Sequence, residues 1–190
     1  MYRLALFASG SGTNAENIAK YFKNNDNIDI TLILSNKKDA YVLERAKKMG
    51  IKTVVFNREQ FYNTDEVLNI LKKENIDFIV LAGFLWLVPD NLLNAFPQKV
   101  INIHPALLPK YGGKGMYGDR VHKAVVANNE KESGITIHYV NGKYDEGDII
   151  FQAKCEVLPS DMPDDVASKV HNLEYKHFPE IIENVILKNN

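Results

Sequence analysis

The 190-residue sequence predicts an α/β fold: a Rossmann-like, mostly parallel twisted sheet flanked by helices, with an antiparallel C-terminal strand pair. Three observations carry this. Strand-like and helical runs alternate from residue 3 to residue 103, the pattern that gives right-handed βαβ crossovers and a parallel sheet. A glycine-rich turn follows the first strand-like run and opens the first helix. After residue 110 the rhythm changes, and two strand-like runs come in succession without a helix between them.

Taken in order, residues 3–8 read as a strand and 14–24 as a helix, 29–34 as a strand and 40–49 as a helix. Residues 52–56 and 77–82 are strand-like and are followed by helical stretches at 64–74 and 89–95. The run 99–103 is a short buried strand, because Val100, Ile101 and Ile103 are β-branched. A glycine-rich loop, 111–118, leads to a helix near 119–127; strand-like runs at 134–140 and 148–157, separated by turn residues, suit an antiparallel pair. A last helix starts near Pro163, whose missing amide proton suits the first turn, with Asp161 or Ser160 as the expected cap. Val166, Val170, Leu173, Ile181 and Val185 recur at helical spacing and should face the core, with a kink expected at Pro179.

At 45% hydrophobic residues, the chain can fill one core, and residues 1–190 read as a single domain. A formal charge of −1 with mixed signs throughout offers no polyanion-binding face, so nucleic acid is not an expected partner. The apolar run at the N-terminus is too short for a signal sequence, and no segment approaches the roughly 20 apolar residues of a membrane span. With a single cysteine, Cys155, the chain has no internal disulfide framework, and the cytoplasm is the expected compartment. The sequence sets no oligomeric state.

The turn Ser9-Gly10-Ser11-Gly12-Thr13-Asn14 allows close backbone approach. Its exposed amides, the helix dipole and the hydroxyls of Ser11 and Thr13 suit a phosphate. It also fits the loose dinucleotide pattern Gly-x-Gly-x-x-Ala ending at Ala15. The second strand, however, ends Leu34-Ser35-Asn36, without the carboxylate that would hold a ribose. No Walker lysine follows the turn, so a small phosphorylated metabolite fits better than a nucleotide; a simple tight turn is the alternative.

Asn102 and His104 stand two apart at a strand end, where i and i+2 share a side, and Pro105 keeps His104 extended. An amide and an imidazole so placed suit a reaction centre, or else a structural histidine with a capping asparagine. In parallel sheets ligands bind beyond the carboxyl ends of the strands, so this pair and the glycine turn share an edge. Tyr144-Asp145-Glu146-Gly147-Asp148 sets three carboxylates around a glycine. One of them could pair with His104 and raise its pKa, although composition alone favours a solvated acidic turn. His104, His122, His138 and Asp145 lack the close paired spacing of a helical zinc motif, so no metal is expected, and His138 reads as a structural or supporting residue.

These motifs together resemble the phosphoribosylglycinamide formyltransferases, the folate-dependent enzymes of purine synthesis. The resemblance rests on Gly10-Ser11-Gly12-Thr13-Asn14, Val80-Leu81-Ala82-Gly83-Phe84, Asn102-Ile103-His104-Pro105-Ala106-Leu107-Leu108-Pro109 and Asp145-Glu146-Gly147, and it runs over nearly the whole chain. It implies that 10-formyltetrahydrofolate is the co-substrate and glycinamide ribonucleotide the acceptor, with no metal and no membrane or nucleic-acid partner. By matching position, Asn102, His104 and Asp145 would be catalytic. The turn from Gly10 to Asn14 would hold the substrate phosphate, and His171 and Glu174 the ribose and glycinamide. Leu85, Trp86, Leu87 and Val88, with Asn102, Asn141, Tyr144 and Asp145, would meet the folate. Two departures stand out: the segment from Gly112 to Gly118 is longer and richer in glycine than the family's usual short turn, and Thr64 replaces an arginine, with Arg58 nearby. Other formyltetrahydrofolate users, including the hydrolase and the tRNA or sugar formyltransferases, and a non-catalytic nucleotide-binding module are the alternative readings.

Overall fold

The computed structural model describes residues 1–188 and contains one seven-stranded sheet. The elements in chain order are β1 (Tyr2–Phe7), α1 (Thr13–Tyr21), β2 (Ile28–Ser35), α2 (Tyr41–Lys48), β3 (Lys52–Val55), α3 (Arg58–Tyr62) and α4 (Glu66–Lys73). There follow β4 (Phe78–Leu81), α5 (Asp90–Ala95), β5 (Val100–His104), α6 (Asp119–Ala127), β6 (Glu132–Tyr139), β7 (Ile149–Glu156) and α7 (Pro163–Lys188). The strand order is β3-β2-β1-β4-β5-β6-β7.

Strands β1 to β5 are parallel, as the alternation predicts. The antiparallel part is larger than expected, since β6 pairs with β5 as well as with β7. The chain order reverses direction across the sheet between β1 and β4, the switch point at which open sheets bind ligands. Successive residues of β1 point to opposite faces: Leu4 and Leu6 join the core under α1, α2, α6 and α7, while Ala5 and Phe7 join the core under α3, α4 and α5. Helices therefore cover both faces of the centre of the sheet, which explains its nearly continuous apolar sequence.

Three local expectations are corrected. Residues 58–62 form a short helix that hydrophobic periodicity does not reveal. It is held by a capping box, with Asn57 accepting from the Gln60 amide while the Gln60 side chain accepts from the Asn57 amide. Neither Ser160 nor Asp161 caps α7; the Asp165 carboxylate accepts from the Met162 amide, and Asp161 instead accepts from Leu158 and pairs with Lys169. Helix α7 continues through Pro179 to Lys188. Its buried residues include Val166, Val170, Glu174, Phe178, Ile182 and Val185, while Leu173 and Ile181 pack partly covered against the same core. Among the described residues no helix is long and apolar enough to cross a membrane.

Candidate active site

A cavity of about 630 Å³ opens over the carboxyl ends of β1, β4 and β5. It is lined by the whole glycine turn, by Leu85, Asn102 and His104, by Tyr144 and Asp145, and by His122, His171 and Glu174. The sheet topology thus brings together residues as far apart in sequence as Ser9 and Glu174.

At the turn, Gly12 has φ 74°, and a Cβ there would lie 2.3 Å from Val42 Cγ2; glycine is required by both conformation and space. No side chain caps α1, so its first amides remain available to an anion. Arg45 is bound to the Ser11 carbonyl and to Glu16, which leaves Lys37 as a cation on the cavity wall. The Asn14 side chain is engaged within the protein: its Nδ2 donates to Glu174 Oε2 at 2.9 Å. Ser9, which the sequence reading leaves unassigned, is buried and ties two parts of the site together. Its amide donates to the Gly83 carbonyl and its hydroxyl accepts from the Leu85 amide, both at 3.0 Å.

Asn102 and His104 share a side at the end of β5, opposite His138 and Thr136 of β6. His104 is buried, and its Nε2–H donates to the Tyr111 carbonyl at 2.7 Å while Nδ1 faces Asp145 Oδ2 at 3.5 Å. Burial pushes the imidazole below its ordinary pKa, against the Asp145 charge and the Tyr111 carbonyl, which favour its protonation. Of the three acidic-turn carboxylates, Asp145 alone approaches His104; Glu146 pairs with Lys143 on the surface and Asp148 is exposed. Although burial opposes its charge, the His138 and His104 imidazoles beside it and the Gly113 amide, which donates to it, hold the Asp145 carboxyl below the usual range. Gly147 lets this turn close, since a Cβ there would lie 1.7 Å from the Tyr139 carbonyl. His138 joins the group: its Nδ1–H donates to the Tyr139 carbonyl at 2.8 Å, so its Nε2 accepts from the Asn102 amide at 3.1 Å and orients it.

The segment expected to meet a folate divides. Leu85 lines the main cavity, and Leu87 and Val88 line a neighbouring groove of about 610 Å³ that also includes Thr64. Trp86 lines neither; its ring packs on Phe56, Phe61, Tyr62 and Phe84. Arg58 lies over Tyr62 and Trp86, engaged with rings. Tyr144 lies in the main cavity, whereas Asn141 is an exposed turn residue that accepts from the Lys143 amide.

From α7, Glu174 reaches the cavity from within the buried stripe, and burial raises its carboxyl pKa against the opposing Asn14 hydrogen bond. His171 is exposed and its ring lies edge-on to that of His122. His122 is buried in the cavity wall with Nδ1 lacking a hydrogen-bond partner. Sequence reading missed Ser9, Lys37, the Tyr111 carbonyl and the contact of His138 with Asn102. Only Glu174 carries a signal of its own, a charge at i+4 spacing in an otherwise apolar stripe. Among the described residues no group of three or more histidines, cysteines or carboxylates is arranged to hold a metal ion.

The formyl transferase family model matches residues 2–182. The chain is 41% identical over 186 residues to a chloroplastic phosphoribosylglycinamide formyltransferase of Arabidopsis thaliana, covering 95% of this chain and 64% of that protein. It spans less than two thirds of this relative and of one from Vigna unguiculata, at 64% and 60% of their lengths. A phosphoribosylglycinamide formyltransferase of Bacillus subtilis is 34% identical over 195 residues, with 100% of this chain and 97% of that protein covered. The crystal structure of phosphoribosylglycinamide formyltransferase from Bacillus halodurans superposes with a TM-score of 0.88 at 34% identity, covering 99% and 97% of the two chains. The chain belongs to the formyl transferase family.

Proposed function

We propose that the chain, as a single formyltransferase domain of the cytoplasm, transfers the formyl group of 10-formyltetrahydrofolate to the amine of glycinamide ribonucleotide. The observation that carries this is the convergence of Asn102, His104 and Asp145 beside an uncapped helix start in one cavity. The relatives named phosphoribosylglycinamide formyltransferase support the choice of substrates.

In this reading Gly10, Ser11, Gly12 and Thr13 bind the ribonucleotide phosphate through backbone amides and hydroxyls, helped by Lys37. Asn14 contributes its backbone and holds Glu174, which with His171 meets the ribose and glycinamide. Leu85, Leu87 and Val88 form the apolar wall for the folate, with Tyr144 beside it, and Trp86 braces that wall from the core. Tetrahydrofolate chemistry requires no metal here, because the residues address the developing charges directly.

Attack of the amine on the formyl carbon creates an oxyanion and a protonated amine. The Asn102 amide, oriented by His138, donates its second N–H to the oxyanion, a contact worth on the order of 3 kcal/mol in other enzymes. Neutral His104 takes the excess amine proton at Nδ1, Asp145 stabilises the imidazolium that results, and the same proton passes to N10 as the carbon–N10 bond breaks. Burial, which favours the neutral ring, supports this order of proton transfers, while Asp145 opposes it by favouring the charged form. Mixing the protein with a chromogenic 10-formylfolate analogue, with and without glycinamide ribonucleotide, tests the reading. Deformylation that requires the ribonucleotide is expected. Deformylation that ignores it would indicate a hydrolase, and none in either case a binding module.

A further inference from the structure

Resting on the formyl-transfer reading, we propose that Tyr111 and Glu130 are positioning residues for His104: their hydrogen bond anchors the carbonyl that holds the imidazole in its productive tautomer. Tyr111 opens the glycine-rich loop with φ 57°, a left-handed conformation that a residue with a Cβ keeps only where its surroundings over-determine it. Its carbonyl accepts from His104 Nε2 at 2.7 Å, and its hydroxyl donates to Glu130 Oε1 at 2.9 Å. The Glu130 carboxylate is itself held by Lys110 Nζ, at 3.0 and 3.1 Å. Glu130 does not line the substrate cavity; it borders a separate pocket of about 270 Å³ on the far side of the loop. The Tyr111 hydroxyl links it directly to the residue whose carbonyl holds His104.

The consequence follows from the two tautomers of a neutral imidazole. With the proton on Nε2 and donated to Tyr111, the lone pair sits on Nδ1, where the amine proton must arrive. Asp145 Oδ2, 3.5 Å from Nδ1, favours the opposite arrangement, a proton on Nδ1 that blocks that step. His138 also stands beside this group, and His122 lies close enough to feel its charge. Among the described residues the Tyr111 carbonyl is the group that holds the proton on Nε2 against the pull of Asp145, so the clamp sets which nitrogen is basic toward the substrate.

The test combines ring ¹⁵N NMR of His104 with steady-state kinetics for Tyr111→Phe and Glu130→Gln, with melting temperatures as the check on folding. In the wild type Nε2 should carry the proton. In both variants the Nδ1–H signal should grow, kcat should fall about 5- to 20-fold, and both KM values should stay within about twofold. Glu130→Asp should restore part of the rate. Wild-type ring shifts in both variants, or a tautomer change with kcat intact, would overturn the proposal. Should Tyr111→Phe fail to fold, Glu130→Gln alone decides. A wild-type protein without formyl transfer defeats the parent reading instead, and the ring shifts still report on the clamp.

Discussion

Replacing Asp145 by asparagine isolates the charge that the proposed proton transfer depends on. The side chain is nearly isosteric and can still accept from the Gly113 amide, so the loop should stay in place. What disappears is a negative charge 3.5 Å from His104 Nδ1. Unit charges about 4 Å apart interact by about 4 kcal/mol at an effective dielectric near 20. The amide dipole and partial screening leave roughly 2–3 kcal/mol of that to be lost when the imidazolium forms, a roughly 30- to 150-fold fall in kcat. Burial, the largest influence on His104, then acts with less opposition, so its pKa falls further. Activity that needs the neutral ring is lost on acidification through that pKa, and the acid limb of kcat/KM should therefore move to lower pH in the variant. Initial rates of ribonucleotide-dependent folate deformylation, measured across pH, give both numbers. A rate within threefold of wild type and an unmoved acid limb would refute the role given to Asp145.

Gly12→Ala combines positive φ with a Cβ 2.3 Å from Val42 Cγ2. It should cost about 2–4 kcal/mol in thermal denaturation and raise KM for the ribonucleotide but not for the folate, with Val42→Ala relieving part of the loss. Ser9→Ala removes the acceptor of the part-buried Leu85 amide, and a loss of about 1 kcal/mol in urea unfolding should accompany weaker folate binding. Glu174→Gln separates stability from function. Because burial raises this carboxyl pKa in the fold, its contribution to stability is present below about pH 4.5, the unfolded value, and declines as pH rises through the folded one. The glutamine variant should therefore gain stability over wild type as pH rises toward neutrality, while its ribonucleotide KM increases about tenfold; parallel melting curves across pH would show the reasoning wrong.

Much of this site is readable before folding because its chemistry uses special local geometries. The glycine turn is legible since Gly12 meets a conformational and steric demand that no other residue satisfies. Asn102 and His104 are legible since the two-residue period of a strand fixes their common side. Asp145 could not be chosen over Glu146 and Asp148 by composition. It is selected by its own positive φ of 56° and by the Gly113 amide, which turn that carboxylate alone inward. Ser9 and Lys37 look like ordinary polar residues, and short α3 depends on a capping box rather than on hydrophobic period.

The sequence by itself therefore determined the α/β class, the parallel β1 to β5 order of elements and the cluster of motifs at one sheet edge, because propensity, period and glycine demand are local properties of the chain. Tertiary structure alone decided which ring nitrogen of His104 faces Asp145, that Asn14 serves Glu174, and that Trp86 packs partly buried against the core. These depend on partners distant in sequence, such as Asp145 for His104, Glu174 for Asn14 and Phe56 for Trp86. No local rule sets such distances; they follow from how the sheet and α7 pack together.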